Sequence, residues 1–175
     1  MNLEGRDCVV IGSADDREAI EKTRALEEAG ANVRWIRDVD SLRDEDVTTA
    51  FFVISTPLDE ALSARLRDLA DRHHFLLCCI DQPAYGFVAM QAIAKAGPAR
   101  ITVSTGGVSP AVSKRWRIAI QHALDAKFAR FLDALRARRN ENRALADSEA
   151  RKAAGREAAE GFDVQISVRY PEWFE

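Results

Sequence analysis

The sequence has no apolar run near the ~20 residues a helix needs to cross a bilayer, no Cys-x-x-Cys pair, no internal repeat and no low-complexity linker. The first lack argues against a membrane partner. The second removes the framework of a structural zinc site, so no metal ligand set is expected. The three cysteines, Cys8, Cys78 and Cys79, lie inside apolar runs and read as small buried hydrophobes. Charge of one sign is also lacking. Twenty-five Lys and Arg against 28 Asp and Glu leave a net charge of −3, which argues against a chain that binds nucleic acid through overall basicity. The opening Met-Asn-Leu-Glu-Gly-Arg-Asp has acids where a secretory signal has a basic and then an apolar stretch, which predicts a cytoplasmic protein. What remains is 175 residues, 47% hydrophobic and 30% charged, the make-up of one globular domain with an appendage.

Short apolar runs alternate with amphipathic stretches. Cys8-Val9-Val10-Ile11 ends at Gly12; Val33 to Ile36, Ala50 to Ile54, Phe75 to Ile80 and Ile101 to Val103 follow as further strands. Between them, Arg17 to Ala29 and Leu58 to Arg72 carry helical stripes, the first stopped by Gly30. Strands apolar on both faces fit a parallel sheet covered by helices. The fold class predicted is α/β: a Rossmann-type parallel sheet over residues 1–105, then a mostly helical region over 106–175. Ser109-Pro110 reads as a helix start, with Ser as cap and Pro in the first turn. From there to about Ala159 helix is favoured, with an apolar stripe through Trp116, Ile120, Leu124, Phe128, Phe131 and Leu135. Gly155 and Gly161 are the expected breaks, and Val164 to Val168 alternates as a late edge strand or an extended arm.

A dinucleotide fold places a glycine-rich turn after its first strand, because absent side chains let a pyrophosphate reach backbone N–H groups at a helix N-terminus. Here that turn is Gly12-Ser13-Ala14-Asp15-Asp16. Its two acids suit a helix cap and its dipole, and would repel a phosphate unless they point away. After the second strand Arg37 and Asp38 stand where a ribose or its 2′-phosphate is met. Two further stretches carry chemistry. Cys78-Cys79-Ile80-Asp81-Gln82-Pro83 places an acid just past the fourth strand. Ser104-Thr105-Gly106-Gly107-Val108-Ser109-Pro110 runs into a diglycine turn. There Gly106 and Gly107 offer backbone N–H groups, and Ser104, Thr105 and Ser109 offer hydroxyls, to an anion. An acid near an anion-binding turn suits proton removal from a carboxylate-bearing substrate.

These motifs resemble the dehydrogenase–chelatase module of siroheme synthase, which also occurs alone as precorrin-2 dehydrogenase. The resemblance runs from residue 2 to about 140. It is carried by Leu3-Glu4-Gly5-Arg6, Lys22 to Ala31, Ile80-Asp81-Gln82-Pro83 and above all Ser104 to Pro110. It implies NAD as cofactor, precorrin-2 as tetrapyrrole substrate, sirohydrochlorin as product, and in many members iron insertion afterwards. It gives Asp81 the role of base, and makes Thr105, Gly106 and Gly107 contacts to the substrate's acid side chains. It also implies a homodimer whose C-terminal halves exchange helices, a use for the apolar stripe. The family's glycine loop stands here as Gly12-Ser13-Ala14, and its Thr-Asp-Asp after the third strand as Thr56-Pro57-Leu58-Asp59, so Thr56 joins the cofactor residues. Three functions stay open: the full NAD-dependent enzyme; a relative without NAD that holds a tetrapyrrole or only inserts metal; and, on the basic helix alone, a regulatory homodimer that binds DNA. His73, His74 and His122 lack fixed-spacing partners. The Arg136 to Arg139 run reads as a solvated helix face, or as an attractor of polycarboxylates or nucleic acid.

Overall fold

A computed structural model describes residues 2–144 and 147–174. The chain divides into two compact units, 1–90 and 91–175.

In the first unit β1 (Asp7–Ile11), α1 (Arg17–Glu28), β2 (Asn32–Ile36), β3 (Phe52–Ser55), α2 (Glu60–His73) and β4 (Leu76–Cys79) follow in order. The four strands are all parallel, in the order β2-β1-β3-β4. Side chains alternate across a strand, and here both faces are covered. Val9, Ile11, Val53, Leu77 and Cys79 pack with Leu62, Leu66 and Leu69 of α2. Cys8, Val10, Phe52, Ile54 and Cys78 pack with Ala19 and Leu26 of α1. This double burial is why the strands read as unbroken apolar runs. Each helix starts on an aspartate: Asp16 accepts the Glu18 N–H and Asp59 the Leu62 N–H.

The second unit holds β5 (Ala92–Ala96) and β6 (Ala99–Val103), then α3 (Pro110–Ala123), α4 (Ala126–Glu141) and α5 (Ser148–Ala158). Here the structure corrects four expectations. Ile101 to Val103 is no fifth parallel strand; it pairs antiparallel with β5 in a two-stranded hairpin. The long helix is three helices, restarted by Asp125 and Asp147, whose carboxylates accept N–H groups of the new first turns. Gly155 lies inside α5 and breaks nothing, while Gly161, at φ +78°, does follow the helix end. The tail from 164 to 168 forms no strand. Ser109 caps α3 and Pro110 occupies its first turn, as expected. None of α3, α4 and α5 has a fully buried side chain. Among the described residues no helix is long and apolar enough to cross a membrane.

Candidate active site

The strand order places the topological switch between β1 and β3, because the chain leaves β1 for β2 on one side and returns to β3 on the other. In open parallel sheets the crevice at the carboxyl ends of such strands is where ligands bind. Gly12 follows β1 and Thr56 follows β3, so the two straddle that crevice. Gly12 is held on both sides: its N–H donates to the Ile36 carbonyl at 3.1 Å, and its carbonyl accepts the Trp35 indole N–H at 2.8 Å. A Cβ at Gly12 would fall well inside contact distance of Thr56 Oγ1 and lie 3.0 Å from Ala19 Cβ. The turn therefore exists only without a side chain, because Thr56, Ala19 and Asp16 fill that space.

The two acids of the turn differ. Asp16 faces inward: one carboxylate oxygen accepts the Glu18 N–H and the other meets the Thr56 hydroxyl. Asp15 is on the outside, where the Ser13 hydroxyl donates to it at 2.7 Å and holds its carboxyl below the usual carboxylate range. Ser13 is thereby turned to Asp15, and Ala14 is exposed between them. Past β2, the exposed Arg37 guanidinium lies over the Trp35 ring at 4.6 Å, and Asp38 accepts the Asp40 N–H to cap a short 3-10 turn. The buried Ser55 Oγ, at the end of β3, has no hydrogen-bond partner. The side-chain-free cradle, the helix N-terminus behind it, the acid past β2 and the orphaned hydroxyl fit a dinucleotide. Asp15 and Asp16, the latter capping α1, are the charges set against its pyrophosphate.

Asp81 lies at the same edge, past β4. Strands sit about 4.8 Å apart, so two strand positions put the β4 end roughly 10 Å from the β1 end. Its φ is +58°, the left-handed region that costs an L-residue roughly 1–2 kcal/mol. The strain is held by neighbours. Ile80 N–H donates to Ser55 O at 2.8 Å, and the buried Ser63 hydroxyl of α2 donates to Gln82 Oε1 at 2.5 Å. The Asp81 side chain itself is exposed and has no hydrogen-bond partner among the described residues. A lone carboxylate on a rigid, strained corner can accept a proton from a bound ligand. Trp35 and Ser63, which position Gly12 and Gln82, went unread in the sequence. A tryptophan in an edge strand and a serine on an apolar helix face are their only signals.

In the second unit the diglycine turn leads from β6 into α3. Gly106 and Gly107 have φ +62° and +82°, and a Cβ at either would meet nothing within 4 Å. The open face is theirs, but fewer donors remain on it than expected. The Gly106 N–H is taken by Ser104 Oγ at 3.1 Å, and Ser109 Oγ is taken by the Val112 N–H it caps. Thr105 Oγ1 accepts the Ser109 N–H at 3.1 Å, with Ser109 O and Ser113 Oγ each 3.0 Å away. Ser104, Thr105 and Ser109 thus shape the turn as acceptors of its N–H groups; the Ser104 and Ser109 hydroxyls keep their own protons to donate, and the Gly107 N–H has no partner among the described residues.

Burial pushes all three thiols up, and each cysteine is buried and free. We expect none of them to react with a disulfide reagent at pH 8 within minutes, and all three to react once denaturant is added. Fast labelling of the native protein would contradict the packing. Among the described residues no three His, Cys, Asp or Glu gather closely enough to hold a metal ion.

The fold and the carboxyl-edge crevice define a Rossmann-type α/β protein. Residues 1–92 match the model of a family described as "Putative NAD(P)-binding". The chain is 27% identical over 140 residues to siroheme synthase of Escherichia coli O157:H7, covering 70% of this chain and 30% of that protein. It is likewise 27% identical over 157 residues to siroheme synthase of Salmonella typhimurium, covering 78% and 34%. It thus spans about a third of the length of these relatives. Its fold is similar to that of SirC, precorrin-2 dehydrogenase, with a TM-score of 0.66 at 17% identity over 91% of this chain and 95% of that one. The chain belongs to this NAD(P)-binding family, in the group formed by the siroheme synthase N-terminal module and precorrin-2 dehydrogenase.

Proposed function

We propose that the chain dehydrogenates precorrin-2 to sirohydrochlorin, with Asp81 as the base. The observation that carries this reading is the exposed, unpartnered Asp81 carboxylate, fixed at φ +58° on the ligand edge of the sheet. NAD, when bound, supplies the acceptor for the hydride. Gly12 leaves room for it, α1 offers its N-terminus, and Asp38 and Arg37 stand past β2 where the ribose is met. The substrate loses a hydride and a proton, and the proton passes to a carboxylate oxygen of Asp81. Gly106 and Gly107, with the open Gly107 N–H, offer an anion seat for the acid side chains of the substrate, in a turn that Ser104, Thr105 and Ser109 hold rigid. The test is incubation of the purified chain with precorrin-2 and NAD. Formation of sirohydrochlorin is expected; none, while a known dehydrogenase converts the same batch, refutes the proposal.

Asp15 favours a second reading, in which the chain has given up NAD and only inserts iron, the substrate metal, into sirohydrochlorin. Asp81 would then receive the pyrrole N–H protons that the metal displaces. Calorimetry separates the two readings: micromolar binding of NAD or NADP eliminates the second.

The apolar stripe of α3 and α4 supports a homodimer, because Trp116, Phe128 and Leu135 are only half-buried in the single chain. Sedimentation equilibrium is expected to give twice the 19.4 kDa chain mass; a monomer at micromolar concentration contradicts it.

A further inference from the structure

The arginine run that the active site leaves unused lies on a concave surface. Arg138 and Arg139 of α4, Arg143 beyond its end, and Arg151 and Lys152 of α5 line one cleft of about 520 Å³. That is within the range of small-ligand sites. Among the described residues no carboxylate lines it. Lys152 is paired with Glu149 at 2.7 Å. Arg138, Arg139 and Arg143 have no ion-pair or hydrogen-bond partner among the described residues. A solvated helix face of mixed charge would pair such groups with acids at three- and four-residue spacings. Like charges round a concavity focus a positive potential into it, and guanidinium groups match the fork of a carboxylate or phosphate.

A second observation is independent of charge. Gly155 lines the same cleft from the interior of α5, where glycine is disfavoured against alanine. A Cβ there would meet nothing within 4 Å, so no packing demands a glycine. Its absent side chain leaves the wall of the cleft open. Leu135 and Ala158 add apolar lining. Basic groups at one side and an open, partly apolar wall suit a ligand with an apolar body and clustered oxyanions.

We propose that the cleft between α4 and α5 binds a small polyanion bearing several carboxylate or phosphate groups, gripped by Arg138, Arg139 and Arg143. Binding there does not depend on the Asp81 chemistry.

The test titrates the full chain with two probes: uroporphyrin, an octacarboxylic macrocycle, by fluorescence, and inorganic tripolyphosphate, by calorimetry. Saturable binding of at least one is expected, falling steeply between 50 and 200 mM salt; whichever binds tighter identifies carboxylate or phosphate as the source. Charge-assisted contacts of this kind are each worth roughly tenfold in affinity. The Arg138→Gln, Arg143→Gln double variant is therefore expected to lose about a hundredfold. Gly155→Leu keeps every charge and favours the helix, so it should fold; it is expected to lose at least about tenfold by filling the cleft. Saturation by neither probe, or undiminished binding in both the arginine double variant and Gly155→Leu, overturns the proposal.

Discussion

Replacing Asp81 by Asn is expected to lower the rate of sirohydrochlorin formation by roughly 10²–10⁴, the range that a positioned acid or base contributes. The substitution removes the proton acceptor and little else. Asparagine is the residue besides glycine that best tolerates the left-handed region, so φ +58° is kept. The Ser63 to Gln82 and Ile80 to Ser55 hydrogen bonds do not involve the altered atom. NAD affinity and melting temperature should therefore stay at the parent values while turnover collapses. A β-branched replacement is the contrasting case. Asp81→Val would also abolish turnover, but at a folding cost of about 1–2 kcal/mol for a β-branched side chain in that conformation. Steady-state kinetics and thermal melts on the two variants distinguish a chemical role from a structural one. An Asp81→Asn protein within tenfold of the parent rate would remove Asp81 from the mechanism.

Gly12→Ala is expected to damage both fold and cofactor seat. Its backbone φ is not in the left-handed region, so the penalty is one of space. The new methyl would overlap Thr56 Oγ1 and press on Ala19 Cβ at 3.0 Å and Asp16 Oδ2 at 3.2 Å. Thr56 is β-branched, buried, and hydrogen-bonded to Ile11 O at 3.2 Å, and Ala19 is fixed in α1, so neither yields easily. Overpacking of this kind costs roughly 1–3 kcal/mol, or a melting temperature lowered by about 2–10 °C at this chain length. Moving the strand-end turn also displaces the backbone N–H groups that a pyrophosphate would meet, and NAD affinity should fall by more than about tenfold. Adding Thr56→Ala removes the larger overlap and should restore part of the stability, a coupling that a double-mutant cycle reads directly. Full stability in Gly12→Ala alone would show that the turn is looser than drawn here.

How much of this was legible in the sequence differed from element to element. Cys8 to Ile11 and Phe52 to Ile54 declared themselves as doubly buried strands, because a parallel sheet between two helix layers leaves no polar face to interrupt the run. Ser109-Pro110 declared a helix start through cap chemistry alone. The family was legible in Ile80 to Pro83 and Ser104 to Pro110, where an acid and a diglycine corner stand in a fixed order. The hairpin of β5 and β6 was not. Ala92 to Ala96 is rich in alanine, which strands disfavour, so β6 lost its partner and Ile101 to Val103 looked like one more parallel strand. The ends of α3 and α4 were hidden because Asp125 and Asp147 are isolated caps in a stretch where every neighbour favours helix. Gly155 misled for the opposite reason: a glycine in a helix reads as a stop, and here it is an opening. At the site, the position of Asp81 was legible but its backbone strain was not. Sequence does not reveal that the oxygens of Ser104, Thr105 and Ser109 accept N–H groups of the turn itself.

The most direct measurement mixes purified chain, precorrin-2 and NAD without oxygen, and follows NADH absorbance and the macrocycle spectrum together. The account predicts one NADH for each sirohydrochlorin formed, at a common rate. Sirohydrochlorin appearing no faster than in a protein-free control, with no NADH produced, would contradict it.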